Sequence, residues 1–162
     1  MVEWRHARVE LMPHPVCSEV LRRFPELADR LRDGDEDLPY LVMGELAGWL
    51  ASAITDGVSP ELAERVSAFN AWCTSQPSRD TAKEDTFTIL VVGLYEKLMA
   101  DPAAHPLVPL LVPRAHFEAN FEYLSRWIDA EALELLRARY AETADRKAGA
   151  RPNGETRRPE AN

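Results

Sequence analysis

Behind Pro15, the apolar residues Val16, Val20, Leu21 and Phe24 recur at helical spacing, with Glu19, Arg22 and Arg23 on the other side. This pattern predicts an amphipathic helix. Pro25 pushes Phe24 out of the helical region and suits a first helical turn, so a second short helix is expected from Pro25 to about Arg32 behind a kink. Asp33-Gly34-Asp35-Glu36-Asp37 ends it: Gly34 can take the left-handed conformation, and four acids in five residues stay in water. From Pro39 to Ile54 the only charge is Glu45, which reads as a helix buried nearly all round. Asp56-Gly57 stops it. Ser59-Pro60-Glu61 then supplies an N-cap, a first-turn proline and a dipole-compatible acid for a helix over 60–75, with the stripe Leu62, Val66, Phe69 and Cys73.

Thr81-Ala-Lys-Glu84 has the pattern of a capping box and precedes Phe87 to Met99. Ile89 to Val92 are strand-prone by composition, but Leu90, Leu94 and Leu98, four apart, favour a helix over about 85–100 that is central to the core. Pro102, Pro106, Pro109 and Pro113 forbid a long helix across 101–113, and the Leu and Val between them predict a segment draped over the core. The stripe Phe117, Phe121, Leu124 and Ile128 marks one further helix. Leu133, Leu136 and Tyr140 continue it after a break at Asp129. No period of roughly 20 to 50 residues recurs, so a helical-repeat array is compatible in shape without being visible in sequence. The expectation is an all-α domain over residues 1–146, a compact bundle of five to seven helices, with a disordered polar tail over 147–162 that holds no bulky apolar side chain.

Of the 162 residues, 27 are Asp or Glu and 19 are Lys or Arg, a net charge of −8. That balance argues against nucleic acid, which draws its affinity from clustered cations, and favours a partner with a basic surface. No uncharged run approaches the length of a membrane span, and Met1-Val2-Glu3-Trp4-Arg5-His6 lacks the apolar core of a signal peptide, so a cytoplasmic, bacterial-style protein is expected. Cys17 and Cys73 form no CxxC pair and read as reduced, buried thiols rather than nucleophiles.

The familiar catalytic constellations fail one after another. Neither GxGxxG nor GxxxxGK[ST] occurs. Asp33, Asp35 and Asp37 alternate as in a calcium loop, but Leu38 and Gly44 stand where glycine and a bidentate Glu are needed. His14 and Cys17 have metal-ligand spacing without a second pair, and His14 is better placed as a helix N-cap. Glu131/Glu134 and Glu142/Asp145 lie about 16 Å apart along one helix, too far to share a metal. No cofactor or metal is therefore expected.

Two acids remain. Glu45 and Glu96 each stand alone in an apolar helix, beside glycines (Gly44 and Gly48; Gly93) that allow close helix approach. Burying an unpaired carboxylate costs several kcal/mol, so each must meet a donor or open onto a cleft. Either they pair within the chain, or they line a groove that receives a cation, with Trp49 and Trp127 as aromatic anchors.

Phe24-Pro25-Glu26-Leu27, then Tyr40-Leu-Val-Met-Gly-Glu-Leu-Ala47, then Leu90-Val-Val-Gly-Leu-Tyr-Glu-Lys-Leu98 resemble a family of short all-helical bacterial proteins catalogued only as a domain of unknown function. The resemblance covers about residues 16–128 and implies an all-helical fold without established catalytic residues; some members look like immunity proteins, which neutralise a cognate toxin. The Pro-rich stretch over 101–113 and the polar tail depart from that pattern. The expected function is a non-enzymatic, acidic protein-binding module of the immunity type. A small metal-dependent hydrolase built on Glu45 and Glu96 is the alternative from another class, and a structural adaptor is the third.

Overall fold

The computed structural model describes residues 14–54 and 57–149, and among them it is all-helical, with no strand. Helix α1 (Pro15–Arg23) starts where His14 Nδ1 accepts the Val16 amide at 3.2 Å, the N-cap role the sequence assigns it. Its buried stripe is Val16, Cys17 and Val20. Phe24 leaves the helix ahead of Pro25, and a 3-10 turn (Pro25–Arg30) buries Leu27. Gly34, at φ 91°, makes the left-handed turn into a second 3-10 turn (Asp35–Asp37).

Helix α2 (Pro39–Ala53) buries Val42, Met43, Leu46, Ala47 and Leu50. It is not buried all round: Leu41 and Gly48 are exposed, and the Glu45 side chain is 42 % exposed. Low charge marked this helix as apolar, but small residues and a lone acid leave one flank in water. Helix α3 (Pro60–Ser75) starts at the Ser59 hydroxyl, which accepts the Leu62 amide at 3.2 Å, and buries the expected stripe together with Asn70.

The central helix runs through α4 (Thr86–Leu90), a π turn (Val91–Tyr95) and α5 (Glu96–Ala100) without leaving helical conformation. Its N-cap is Asp85, not the Thr81 of the predicted capping box; the Thr81 carbonyl instead accepts the amides of Glu84 and Asp85 in a turn. Residues four apart drift by about 40° per step around an α-helix of 3.6 residues per turn. The wider π turn takes part of that drift back. Leu90, Leu94 and Leu98 thereby stay on the core side, as do Ile89, Tyr95 and Met99. Gly93 lies against α2 so closely that a Cβ there would stand 2.6 Å from Met43 Cβ. Gly44 and Gly48 do not share this role, since a Cβ at either meets nothing within 4 Å.

The Pro-rich stretch is draped as expected, with Ala104, His105, Val108, Leu111 and Val112 buried. Its one short helix, α6 (Val108–Leu111), is tied down on both sides: Asn70 Nδ2 donates to the Leu111 carbonyl at 2.8 Å and the Tyr140 hydroxyl to the Val112 carbonyl at 2.9 Å. His105 Nε2 closes the end of α5 on the Met99 carbonyl at 2.6 Å. The single helix expected after Arg114 is two, α7 (Arg114–Ala119) and α8 (Phe121–Leu124). Asn120 separates them as the C-cap of α7, where its backbone N–H and its side-chain amide, the latter at 2.8 Å, both donate to the His116 carbonyl. After the break at Asp129, whose carboxylate caps the Glu131 amide at 2.9 Å, α9 (Ala130–Gly149) buries Leu133, Leu136 and Tyr140. This helix extends three residues past the expected end at Arg146; the rest of the expected tail lies outside the described residues.

Candidate functional site

The four residues singled out by sequence separate into two pairs. Glu45 and Trp49 are one turn apart on α2. Glu45 pairs with Arg30 at 3.7 Å, a half-exposed ion pair of the kind worth at most about 1 kcal/mol. Trp49 packs edge-on against Phe24, with centroids 5.9 Å apart, and beneath the Arg65 guanidinium at 5.7 Å. Arg65 is itself held by a two-bond fork on Glu26, at 3.0 and 2.8 Å, and donates to the Arg23 carbonyl at 2.9 Å. Trp49 and Arg65 thus staple α2 and α3 to the chain around Phe24.

Glu96 and Trp127 meet instead around Tyr123, a residue the sequence reading passed over. The Tyr123 hydroxyl donates to Glu96 Oε2 at 3.2 Å, and the Trp127 indole N–H faces the Tyr123 phenol oxygen in turn. Burial and the Glu96 charge hold the Tyr123 phenol above its usual range, so it stays a donor at neutral pH. Trp127 is 65 % exposed, the largest fraction among the big apolar side chains of the described residues. The periodicity put Trp127 one residue from the buried Ile128, off the apolar stripe, and in the structure it lies in the turn that follows α8. Tyr123 likewise falls off the stripe of Phe117, Phe121 and Leu124, which is the signal that could have marked it.

A furrow leads to this trio. Three clefts of about 330, 360 and 230 Å³ adjoin one another through shared walls: Gln76 belongs to the first and second, Phe87 to the second and third. The first is walled by His14, Arg79 and Glu84, the second by Asp85 and His116, and the third by Val91, Val92 and Tyr123. The furrow therefore follows α4 and the π turn from the capping residue to Tyr123, where Glu96 waits. Tyr40 braces its wall by donating to the Ala82 carbonyl at 2.6 Å.

His116 is the polar centre of the furrow. Tyr95 is 1 % exposed, and its hydroxyl lies 2.8 Å from His116 Nδ1. A buried hydroxyl must place its proton, and Nδ1 is the acceptor beside it. The neutral ring therefore carries its own proton on Nε2, as a donor. Burial lowers the His116 pKa below 6.5, and His14 shifts in the same direction mainly for the same reason, partly offset by Lys83 and Glu84. Both groups contribute stability that is complete above the unfolded value of about 6.5 and is lost as pH falls through it toward the folded values. Long-range ¹H–¹⁵N spectra at pH 7 are expected to show His116 as the Nε2–H tautomer, and its titration below that of a free imidazole; the Nδ1–H form would refute the assignment.

Cys73 is buried and its thiol is pushed up to about 12, chiefly by burial, which suits packing rather than nucleophilic attack. Among the described residues, no three His, Cys, Asp or Glu side chains gather as a metal site, and no helix is long and apolar enough to cross a membrane. Compared with known proteins, the chain matches no family model, no curated protein and no solved structure.

Proposed function

We propose that the protein is a non-enzymatic protein-binding module, most concretely an immunity-type inhibitor of a cognate bacterial toxin, acting in the cytoplasm and presenting Glu96, Tyr123 and Trp127 to a basic patch on its partner. The observation that carries this reading is a tryptophan 65 % exposed beside a tyrosine that holds a carboxylate in place. An arginine arriving there can stack on the indole and pair with Glu96 at once, while the Trp127 ring leaves water. The excess of acids over bases adds steering toward a basic face. The resemblance of three short motifs to all-helical bacterial proteins, some of them immunity-like, is what narrows the reading to that type. The hydrolase alternative requires three or more converging carboxylates, and no geometry among the described residues favours it. A structural adaptor predicts a featureless surface, unlike one with a furrow and an exposed indole.

Selection from a displayed library of random peptides is the test. Peptides carrying Arg or Lys should be enriched, and Trp127→Ala should weaken them about 30-fold, the loss expected when a hot-spot residue worth about 2 kcal/mol is truncated. Glu96→Gln should weaken them as well, Glu45→Gln should not, and none of the three should change Tm appreciably. Enrichment indifferent to both Trp127→Ala and Glu96→Gln would overturn the reading.

A further inference from the structure

The chain holds another recess, apart from the furrow. A cleft of about 310 Å³ lies where α3, α6 and α9 meet, and none of its wall residues lines the three furrow clefts. Leu110 and Pro113 give it an apolar side, with Leu110 48 % exposed, and Arg114 is its one charged wall residue among the described residues. Asn70 lines it from α3, on a stripe whose other buried members are Leu62, Val66, Phe69 and Cys73. This side-chain amide belongs to a residue 3 % exposed, and only half of it is used. Nδ2 donates to the Leu111 carbonyl at 2.8 Å, while Oδ1 meets no hydrogen-bond donor among the described residues. Turning the amide over gives no relief, because it would set an oxygen against the Leu111 carbonyl. A buried acceptor without a donor is destabilising, and tying α6 down requires only the donor half. The Tyr140 and Thr143 hydroxyls, which also line the cleft, are already given to the carbonyls of Val112 and Arg139.

We infer that this cleft binds a compact organic acid carrying an N–H or O–H donor on an apolar body. The donor pairs with Asn70 Oδ1, the body lies against Leu110 and Pro113, and the carboxylate goes to Arg114. Size agrees, since the cleft stands at the small end of the range of about 300–1,000 Å³ for ligand pockets. Charge agrees as well: Arg114 is more than half exposed and 3.8 Å from Glu118, a loose i,i+4 pair that a carboxylate at the rim can replace. Oδ1 exposes less than 1 Å² of its own surface, so the donor reaches it from inside the cleft as α6 yields. That helix is a single turn, fastened by the Asn70 bond within it and the Tyr140 bond at its end. A donor arriving at Oδ1 leaves the bond from Nδ2 to Leu111 in place. A molecule of the same shape with an acceptor there, an ether or a ketone, would set lone pairs against lone pairs and is rejected. The inference is independent of the partner surface at Glu96, Tyr123 and Trp127.

Indole-3-acetate serves as the probe, because it joins an N–H donor, a flat apolar ring and a carboxylate in one small molecule. Titrated into the full chain and followed by ¹H–¹⁵N spectra at pH 7, it is expected to give saturable shifts within 67–70, 109–114 and 140–143 and none along 85–92. 1-Methylindole-3-acetate, which lacks the donor, should bind about 10-fold more weakly, and 3-methylindole, which lacks the carboxylate, several-fold more weakly. Arg114→Gln should erase the advantage of indole-3-acetate over 3-methylindole and leave the effect of N-methylation intact. Asn70→Leu should erase the effect of N-methylation instead, and a thermal melt establishes that this variant is folded; where it is not, the probe series on the parent chain decides. Shifts absent from the three segments, equal binding of the N-methylated acid, or acid binding indifferent to Arg114→Gln would overturn the site. The peptide selection reads other residues, so each result stands without the other.

Discussion

Gly93→Ala is expected to lower the thermal midpoint by about 4–8 °C, and Gly48→Ala to raise it by about 2–4 °C, although both replace a helical glycine by the best helix former. The sign depends on what the new methyl group meets. At position 93 it would stand 2.6 Å from Met43 Cβ and 3.2 Å from Met43 Cγ. Met43 Cβ is fixed to the α2 backbone, so no rotamer change relieves the overlap and the two central helices must separate. Overpacking of this kind costs about 3 kcal/mol, and the gain in helix propensity returns about 1 kcal/mol, which leaves about 2 kcal/mol of destabilisation. At position 48 the methyl group meets nothing within 4 Å, and the propensity gain of about 1 kcal/mol stands alone. Melting curves of the two variants decide the matter, and shifts of equal sign would show that helix approach at Gly93 is not limiting. Gly93→Ala has a second consequence at the furrow. The Tyr40 ring lies 3.7 Å from the same methyl position and braces the Thr81–Glu84 turn, so a displaced α2 also disturbs a furrow wall.

Those two glycines illustrate how far the pattern of residues carried. The sequence placed both beside a lone acid, where either could serve a close helix contact, and only the packing of α2 on the π turn separates them. Local signals translated well into structure. His14 caps α1, Pro25 breaks the chain after Phe24, Gly34 turns left-handed and Asp129 opens the last helix, because each of these depends on a few neighbouring residues. The misses came where a local signal had a competitor. Thr81 and Asp85 both offer a helix cap, and Asp85 wins because its two oxygens together accept four donors. Asn120 lies inside a helical stretch by pattern, yet its backbone N–H and its side-chain amide both close on the His116 carbonyl and α7 ends there.

The functional surface was legible only in part. Glu96 and Trp127 stand out as a lone acid and a tryptophan, but what joins them is Tyr123, 27 positions from Glu96. The same holds for Tyr95 and His116, which are 21 apart. Neither partnership leaves a trace in hydrophobic periodicity, because each arises from α7 and α8 folding back along the central helix. Glu45 and Trp49 looked alike to Glu96 and Trp127 by composition. They are answered instead by Arg30, Phe24 and Arg65, and so hold the scaffold together.

Asp85→Asn is expected to remove a distinct part of the protein's acid sensitivity, and Asp85→Ala to cost about 2 kcal/mol at neutral pH. Asp85 accepts the Thr88 hydroxyl at 2.6 Å and the Thr88 amide at 2.7 Å on one oxygen, and the Arg79 amide at 3.1 Å and the Ser78 hydroxyl at 3.2 Å on the other. The Thr88 bonds, first the hydroxyl and then the amide, hold its carboxyl down at about 2, against 3.8 for an unperturbed Asp. A carboxyl depressed on folding stabilises the native state above the unfolded value, and that contribution drains away as pH falls from about 5 through 3.8 toward 2. The shift corresponds to about 2 kcal/mol between the two ends of that window, similar to the cost of losing a strong N-cap. Asparagine keeps an acceptor for the Thr88 amide without the charge, so Asp85→Asn should be destabilised at pH 7 by about half as much and should lose less on acidification. Urea midpoints at pH 7, 4 and 2.5 for the three proteins measure this directly. Glu19 and Glu26, also depressed by their arginines, are present in all three and cancel in the comparison. An Asp85→Asn protein that loses as much between pH 5 and 2.5 as the parent would show that Asp85 is not the carboxyl responsible. Because the same four bonds fasten Ser78 and Arg79 to the start of α4, Asp85→Ala should also loosen the wall between the first two clefts.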